Sequence, residues 1–337
     1  MQLERTSPFD PRWYEFVAQR EDATIFHRPE WSGLLAEAYD YTAFAVIATE
    51  FGRTIAGAPF LAVGRPFRRR WSCLPFTDRC GPLGDDRARS AFVDGLGVLA
   101  ARDRISTVEL RAGHPGPGND LVSAGVRHTL ALGTDATAVL RRMSSAHARN
   151  ARHAERAGVT VSMGTTVHDV RSFYELHVRT RRRLGVPVQP VRFFRLLARR
   201  IIGAGLGFVG TARLGDRPLA SAVFLRSGPT LIYKYGASDE RTLSHRPNDL
   251  LFREVIAMAC REGYQTLDFG RSDTEDAGLR RFKSSFGAEE TPLMYTHVGS
   301  LRPPDLRRAG RLLAPLIRRS SPAFCRALGE ALYRYSA

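Results

Sequence analysis

The sequence has few cysteines and no long apolar segment, and both shortages exclude classes of protein. Its four cysteines form no Cys-x-x-Cys pair and stand at no zinc-finger spacing with histidine, which argues against a structural zinc site and a disulfide framework. No apolar run approaches the ~18 residues of a membrane-spanning helix. Charges also interrupt the N-terminal segment where a signal peptide needs an apolar stretch. We therefore expect a cytoplasmic protein with reduced thiols.

Several nucleotide and hydrolase motifs are missing as well. The chain has no P-loop Gly-x-x-x-x-Gly-Lys-Ser/Thr, no Gly-x-Gly-x-x-Gly and no Gly-x-Ser-x-Gly elbow. His147, His153 and His177 lie in arginine-rich segments without a carboxylate at metal-ligand spacing. The sequence therefore gives no support for a P-loop nucleotide site, a dinucleotide cofactor, a Ser-His-Asp triad or a bound metal.

The basic residues are almost all arginine. Among 50 lysines and arginines only Lys234 and Lys283 are lysines, and 34 acidic residues leave a formal charge of +16. A lysine retained in this background suggests a position where a compact ammonium is required and a planar guanidinium does not fit. The charge attracts polyanions such as RNA, anionic lipid or phosphorylated substrates, while a solubilising surface is the alternative explanation.

The two halves of the chain repeat one pattern. Ala48–Leu61 resembles Thr211–Leu225, and each segment reads as a strand, a glycine turn and a second strand. In both halves a helix and an acidic strand follow, with Glu109 in the first half corresponding to Asp268 in the second. Anchors at a nearly constant separation predict two copies of one α/β unit, with mixed sheets and helices packed on them.

The predicted organisation is a first copy over 1–150, a second over 151–300 and a basic amphipathic tail over 301–337. For this tail, docking on the protein's own surface is the commoner use, with membrane or RNA contact as alternatives. We expect a helix over 135–157 to bridge the copies. Within the second copy the periodicity predicts strands over 159–163, 206–213, 218–226, 230–236, 264–269 and 291–298, and helices over 167–183, 190–203, 248–262 and 276–286.

The candidate catalytic residue is Lys283. Only the second copy follows its acidic strand with the segment 271–287, while the first copy has a Pro/Gly-rich loop at that place. We infer that the second copy is catalytic and that the first supports it. Arg281 and Lys283 belong to a basic helical turn, which as an isolated motif is usually only solvated, but the scarcity of lysine favours a functional role.

Other polar residues of the second copy are candidates for the same site. Asp268 ends a strand and suits an orienting acceptor or a general base, and an ion pair with Arg271 is an equal alternative. Tyr233 and Tyr235 are expected on one face of their strand, with Lys234 on the other. They read either as packed aromatics beside an exposed lysine or as a pair that lines the substrate.

Together these motifs resemble the FemA/FemB/FemX-like branch of the GNAT acyltransferase superfamily, over roughly residues 25 to 300. Their order and the duplication make the set fairly specific. The motifs are Pro29-Glu-Trp31, Leu74-Pro-Phe76, Cys80-Gly-Pro82, Thr180-Arg-Arg-Arg-Leu-Gly185, Tyr233-Lys-Tyr-Gly236, Arg246-Pro-Asn-Asp-Leu-Leu251, Asp268-Phe-Gly-Arg271 and Gly278-Leu-Arg-Arg-Phe-Lys283.

The resemblance implies two tandem GNAT-like domains and transfer of an aminoacyl or acyl group to an amine. In Fem-type enzymes the donor is aminoacyl-tRNA and the acceptor is a cell-wall precursor, while relatives in antibiotic pathways acylate small amines. The family's transition-state lysine corresponds to Lys283. We expect Tyr235 and Arg271 to line the site, and Arg281 and Phe282 of the lysine's own motif to bind substrate. Leu35 replaces the lysine that often follows Trp31 by four positions in peptidoglycan-precursor enzymes, which argues against that acceptor.

The donor is predicted from a missing glycine loop. Acetyl-CoA-dependent GNAT domains bind pyrophosphate on a glycine-rich loop that enters a helix, and the equivalent segment here, 241–250, has no glycine. We therefore expect aminoacyl-tRNA as co-substrate and no bound cofactor. The alternatives are an acyl-CoA-dependent N-acyltransferase linked to polysaccharide or envelope assembly, and a catalytically dead GNAT-like module that binds RNA or makes peripheral membrane contact.

Overall fold

The computed structural model describes residues 1–65, 68–299 and 306–333, so the Arg302-Pro-Pro304 start of the predicted tail lies outside the described residues. The chain divides into two compact units. The first comprises Met1–Gly125 and the end of the last strand from Pro292, and it also includes Tyr333. The second comprises Val126–Thr291 and Leu306–Leu332. The expected boundary at residue 150 thus falls inside the second unit.

The strands are β1 (Gln2–Thr6), β2 (Thr42–Glu50), β3 (Arg53–Arg65), β4 (Arg68–Ser72), β5 (Leu83–Gly84), β6 (Thr107–Leu110), β7 (Asn119–Ala131), β8 (Val159–Gly164), β9 (Gly207–Leu214), β10 (Arg217–Ser227), β11 (Thr230–Ser238), β12 (Thr266–Ser272) and β13 (Glu289–Val298).

The helices are α1 (Pro11–Ala18), α2 (Pro29–Tyr39), α3 (Asp86–Arg102), α4 (Ala136–Leu140), α5 (Ser145–Arg156), α6 (Val167–Leu184), α7 (Val191–Leu197), α8 (Pro247–Arg261), α9 (Ala277–Ser284), α10 (Leu306–Arg319) and α11 (Pro322–Tyr333). A π-helical turn, Ala198–Ile202, extends α7. No helix in the described part of the chain has the length and apolar content that crossing a bilayer requires.

Both units have the same sheet topology. In the first the strand order is β1-β2-β3-β4-β6-β13, with β5 beside β3, and in the second it is β8-β9-β10-β11-β12-β7. Along each order the pairings run antiparallel three times, then parallel, then antiparallel. The predicted α/β class and the duplication are therefore confirmed. The last strand of each sheet follows a strand of the other unit in the chain. Strand β13 comes after β12 but pairs with β6, and β7 comes after β6 but pairs with β12.

Local signals place the helices of the second unit. Thr166 and Asp169 form a capping box at the start of α6, and Gly185 ends that helix in the left-handed region, where glycine is least strained. Asp276 accepts a hydrogen bond from the backbone N–H of Leu279 and so caps α9. The strands and helices predicted within the second copy are all present, with ends shifted by a few residues. The last of these strands, predicted over 291–298, is β13, which pairs with β6 in the sheet of the first unit and not with the second copy.

Two further features of the fold differ from the prediction. The single helix expected over 135–157 is wrong, because the Ser144 hydroxyl accepts from the backbone N–H of His147 and starts a new helix, which separates α4 from α5. Strand β7 was not predicted, although its second half forms the last pairing in the second unit's sheet, with Val126 opposite Ser272.

The core of the second unit lies between its sheet and α8. Phe224, Leu231, Val255 and Phe286 are among its fully buried side chains. The tail helix α11 packs on the same unit, where Glu330 accepts from the backbone N–H of Val191 and Arg326 lies over the ring of Tyr174.

Candidate active site

The candidate site lies where two parallel strands of the second unit separate. Strand β11 pairs with β12 only from Thr230 to Ile232, opposite Thr266 to Asp268. Beyond these residues β11 continues along β10 and β12 continues along β7, and the described chain shows no further pairing between β11 and β12. Ligands of open α/β sheets bind outside the carboxyl ends of parallel strands, and both strands point their carboxyl ends at this opening.

Lys283 is anchored on the β12 side of the opening. Its Nζ donates to the backbone carbonyls of Gly270, at 3.1 Å, and Arg271, at 2.8 Å. The side chain is 2% exposed, so the ammonium is held inside the protein rather than in bulk solvent. These contacts fix a positive charge at the C-terminal end of β12.

Asp268 lies on the same strand and is tied to the same backbone. Its Oδ2 accepts from Arg127 at 2.9 and 2.8 Å, and its Oδ1 accepts from the backbone N–H of Gly270 at 2.8 Å. The alternative pairing with Arg271 is wrong, because Arg271 forms its ion pair with Asp273. Arg127 lies on β7, far away in sequence, so no local pattern could have indicated it.

His128 is a second residue that sequence analysis missed. It is opposite Gly270 in the β7–β12 register and fully buried, with Nε2 3.1 Å from a carboxylate oxygen of Glu290. Burial lowers the pKa of His128, and the charge of Lys283 acts in the same direction. Glu290 accepts two hydrogen bonds from Arg280, at 2.8 and 2.7 Å. The imidazole is therefore neutral near pH 7 and adds no second positive charge beside Lys283.

The remaining motif residues of α9 do not all face the opening. Arg281 is exposed, whereas Phe282 is half-buried and its ring packs against Phe252, Phe286 and His147. The structure thus brings Lys283, Asp268 and the backbone of Arg271 together. It places the side chain of Arg281 at the surface and that of Phe282 on the core.

The two tyrosines of β11 point to opposite faces of the sheet, which corrects the prediction. A bulge in the β10–β11 register places Val223 opposite Tyr235 and Phe224 opposite Tyr233, so Lys234 is the extra residue. The ring of Tyr233 packs against Phe224 and Phe252 in the core, 5.8 and 5.1 Å between centroids. The ring of Tyr235 packs with His177, Phe193 and Phe194 beneath α6 and α7.

The equivalent place in the first unit is filled by the chain itself. There β4 pairs with β6 from Arg70 to Ser72, and the loop that follows bonds to the end of β6. Arg111 donates to the carbonyl of Thr77 at 2.6 Å, and Cys80 forms a bridge with Arg111. The buried carboxylate of Glu109, the counterpart of Asp268, accepts from Ser72 and pairs with Arg111 at 2.9 Å.

The first turn of α8 carries a carboxylate. Pro247 is its first residue, and the preceding Arg246 has a φ of 54°, which is strained for a residue other than glycine. Asp249 is buried in the first turn, where it pairs with His147 and accepts from the Asn150 amide. An anion such as pyrophosphate, bound at this helix N-terminus, would be repelled by the Asp249 carboxylate.

One known domain family matches most of the second unit. Residues 141–284 match the Acetyltransferase (GNAT) domain family. No curated protein sequence matches the chain.

Solved structures share the fold at low sequence identity. FemX is 14% identical, with a TM-score of 0.70 over 95% of this chain and 100% of its own. The C-terminal domain of a putative lysylphosphatidylglycerol synthetase from Agrobacterium fabrum is 14% identical, with a TM-score of 0.57 over 91% and 94% of the two chains. L-PGS from Bacillus licheniformis is 13% identical, with a TM-score of 0.57 over 94% and 99%.

These matches confirm the predicted resemblance at the level of the GNAT domain and the FemX-like fold. The chain shares the fold of FemX and is built from two units of like topology, and the match to the GNAT domain family falls on the second of them.

Proposed function

We propose, from the GNAT domain at residues 141–284 and the FemX-like fold, that this protein is a tRNA-dependent aminoacyltransferase. Its donor is the aminoacyl ester at the 3′ end of a charged tRNA. Its acceptor is an amine on a small molecule or a cell-wall precursor. The reaction forms an amide and takes place at the opening between β11 and β12.

The observation that carries the proposal is the fixed ammonium of Lys283. When an amine attacks the ester carbonyl, negative charge develops on the carbonyl oxygen. A cation already held by the carbonyls of Gly270 and Arg271 requires little reorganisation as that charge appears. Stabilisation by one such group is worth about 3 kcal/mol.

The proposed bond changes are balanced within the two substrates. The amine nitrogen forms a bond to the carbonyl carbon, and collapse of the intermediate breaks the ester C–O bond and releases the ribose oxygen of the tRNA. The amine loses one proton and the ribose oxygen gains one, so a single base that takes and returns a proton suffices. We assign that base to Asp268, whose carboxylate is held by Arg127 and Gly270.

The choice of tRNA over acyl-CoA is supported by the first turn of α8. The Asp249 carboxylate and the strained Arg246 stand where a glycine loop would cradle pyrophosphate in an acyl-CoA-dependent enzyme. One protein that shares the fold is named a putative lysylphosphatidylglycerol synthetase, and the compound in that name carries an amino acid. The charge of +16 also favours a polyanionic substrate.

Product analysis tests the proposal. The purified protein is offered a pool of charged tRNAs with candidate amines, and in parallel acetyl-CoA and longer acyl-CoA thioesters with the same amines, and the amides are identified by mass spectrometry. We expect aminoacyl amides from the tRNA pool alone. Acyl amides formed only from the thioesters would contradict aminoacyl-tRNA as the donor. Binding of RNA without any product would contradict an enzymatic function.

A further inference from the structure

Helix α5 of the second unit presents a row of arginines to solvent. Arg149, Arg152 and Arg156 are exposed, and their guanidinium groups form no ion pair or hydrogen bond with any described residue. At 100° per residue the three positions lie within about 60° of one another around the helix axis. We call these three residues the α5 arginine row. The opposite side of the helix is buried through Ala151 and Ala154.

The acidic groups near the row already have other partners. Glu155, the one carboxylate on α5, accepts two hydrogen bonds from Arg253 of α8, both at 3.1 Å, and this pairing lowers the pKa of Glu155. Asp249 of α8 is engaged by His147 and Asn150. The positive charge of the row is therefore uncompensated, although α5 packs directly on a helix that carries carboxylates.

The row begins beside the helix that carries Lys283. The ring of His147 lies 5.8 Å from that of Phe282 and 4.8 Å from that of Phe286, measured between centroids. The backbone N–H of Ser144 donates to the carbonyl of Ser285 at 2.8 Å. The first turn of α5 is thus fixed to the end of α9, and the row leads away from it.

The spacing of the row suits a polynucleotide backbone. With a rise of 1.5 Å per residue, Arg149 and Arg152 are about 4.5 Å apart along the helix, and Arg152 and Arg156 about 6 Å. One strand of a nucleic acid duplex carries a charge every ~3.4 Å of its axis, so three long side chains reach neighbouring phosphates. Arginine also forms bidentate contacts with phosphate.

We propose that the α5 arginine row binds the phosphate backbone of the tRNA acceptor stem while the 3′ end reaches Lys283. This inference rests on the proposed function, and it adds the surface that holds the tRNA. The row contributes affinity without sequence preference, because phosphate contacts position a nucleic acid but do not read its bases. The row does not take part in amide formation, which takes place at the opening between β11 and β12.

The test measures tRNA affinity against salt for the triple variant Arg149→Gln, Arg152→Gln and Arg156→Gln. Each lost phosphate contact lowers the magnitude of the slope of log affinity against log salt by about 0.7 to 0.9, so the three together lower it by about 2 to 3. We expect affinity at low salt to fall at least tenfold. The single-turnover rate at saturating charged tRNA should stay within about twofold of the wild type.

A matched control separates this effect from net charge. Arg53, Arg69 and Arg87 of the first unit are also exposed and form no ion pair with described residues, but they do not share one face of a helix. The triple glutamine variant at these positions removes the same charge and should leave the salt slope nearly unchanged. Equal losses in both variants, or loss of binding to anionic vesicles but not to tRNA, would overturn the proposal.

The outcome stays distinguishable from that of the proposed function. Uncharged tRNA is the binding probe, so the salt slope is measured whether or not a product forms. If the wild type makes no product but the triple variant still shows a weaker salt dependence of tRNA binding, the α5 arginine row is supported as a tRNA-binding surface and the aminoacyltransferase activity is refuted. If the wild type makes the product and the triple variant binds tRNA as the wild type does, the α5 arginine row is refuted as a tRNA-binding surface and the aminoacyltransferase activity is supported.

Discussion

Arg127 and Asp268 form an ion pair between β7 and β12, with two guanidinium nitrogens 2.8 and 2.9 Å from one carboxylate oxygen. The other oxygen accepts from Gly270, whose carbonyl in turn accepts from Lys283. The ion pair thus helps to position both the ammonium of Lys283 and the proposed base, Asp268. Partners 141 residues apart in the chain meet in one site because β7 pairs with β12.

Asp268→Asn tests the assignment of the base. The amide keeps an acceptor for the Gly270 N–H but cannot take a proton, so we expect the transfer rate to fall by about 10² or more. Arg127→Gln is the matched control, because it breaks the same ion pair and leaves the carboxylate. Its rate should fall much less. Equal losses in steady-state kcat would show that Asp268 acts only through the ion pair.

The two tyrosines of β11 are predicted to differ in function because they face opposite sides of the sheet. The Tyr233 hydroxyl forms no hydrogen bond with a described residue, and burial raises its pKa to about 12. Tyr233→Phe should therefore leave both activity and stability nearly unchanged. Tyr235→Ala should raise the KM for donor or acceptor at least fivefold. Steady-state kinetics of the two variants would contradict this placement if their order were reversed.

The hairpin between β2 and β3 holds a strained residue. Phe51 has a φ of 49° and is 98% exposed, in a turn completed by Gly52. Asparagine tolerates the left-handed region better than phenylalanine, so Phe51→Asn should raise the free energy of unfolding by about 0.5–1 kcal/mol. Phe51→Ala removes the same exposed ring but keeps the strain and should give no gain. Thermal unfolding of the three proteins decides between strain and ring exposure.

The buried His177 predicts a loss of stability in acid. Burial lowers its pKa to about 3 from 6.5, and its Nε2 is bonded to the Gln189 side chain at 2.9 Å. Because the unfolded chain takes up a proton near pH 6.5 and the folded chain does not, stability is complete above that pH and falls below it. Between pH 6.5 and 5 the loss is about 2 kcal/mol.

His177→Gln keeps an N–H donor for Gln189 and removes the titration. We expect its unfolding free energy to depend less on pH between 6.5 and 5, by about the same 2 kcal/mol, in chemical denaturation followed at several pH values. A variant that keeps the full acid dependence of the wild type would locate the responsible group elsewhere.

Sequence reasoning succeeded where the signal is local and failed where it is not. Hydrophobic periodicity located the helices and strands predicted within the second copy, and local capping residues such as Thr166 start those helices in the structure. The bulge at Lys234 escaped notice because strict alternation assumes an unbroken ladder, and it reversed the expected placement of Tyr233 and Tyr235. Arg127 and His128 reach the site only through pairing of β7 with β12, which no neighbouring residue indicates.

In the proposed reaction the ammonium of Lys283 stabilises the oxyanion, and the two lysines of the chain make this role testable. Lys283→Met removes the ammonium at the opening. Lys234→Met removes an ammonium from strand β11 and serves as the matched control. Thermal unfolding and tRNA binding are measured first, to show that both variants fold and hold the donor.

The decisive measurement is the single-turnover rate of amide formation from pre-bound aminoacyl-tRNA. We expect Lys283→Met to lose at least 10²-fold, as removal of one oxyanion donor does, while Lys234→Met stays within about threefold of the wild type. A folded Lys283→Met protein that binds charged tRNA and transfers at the wild-type rate would show that the ammonium does not stabilise the oxyanion.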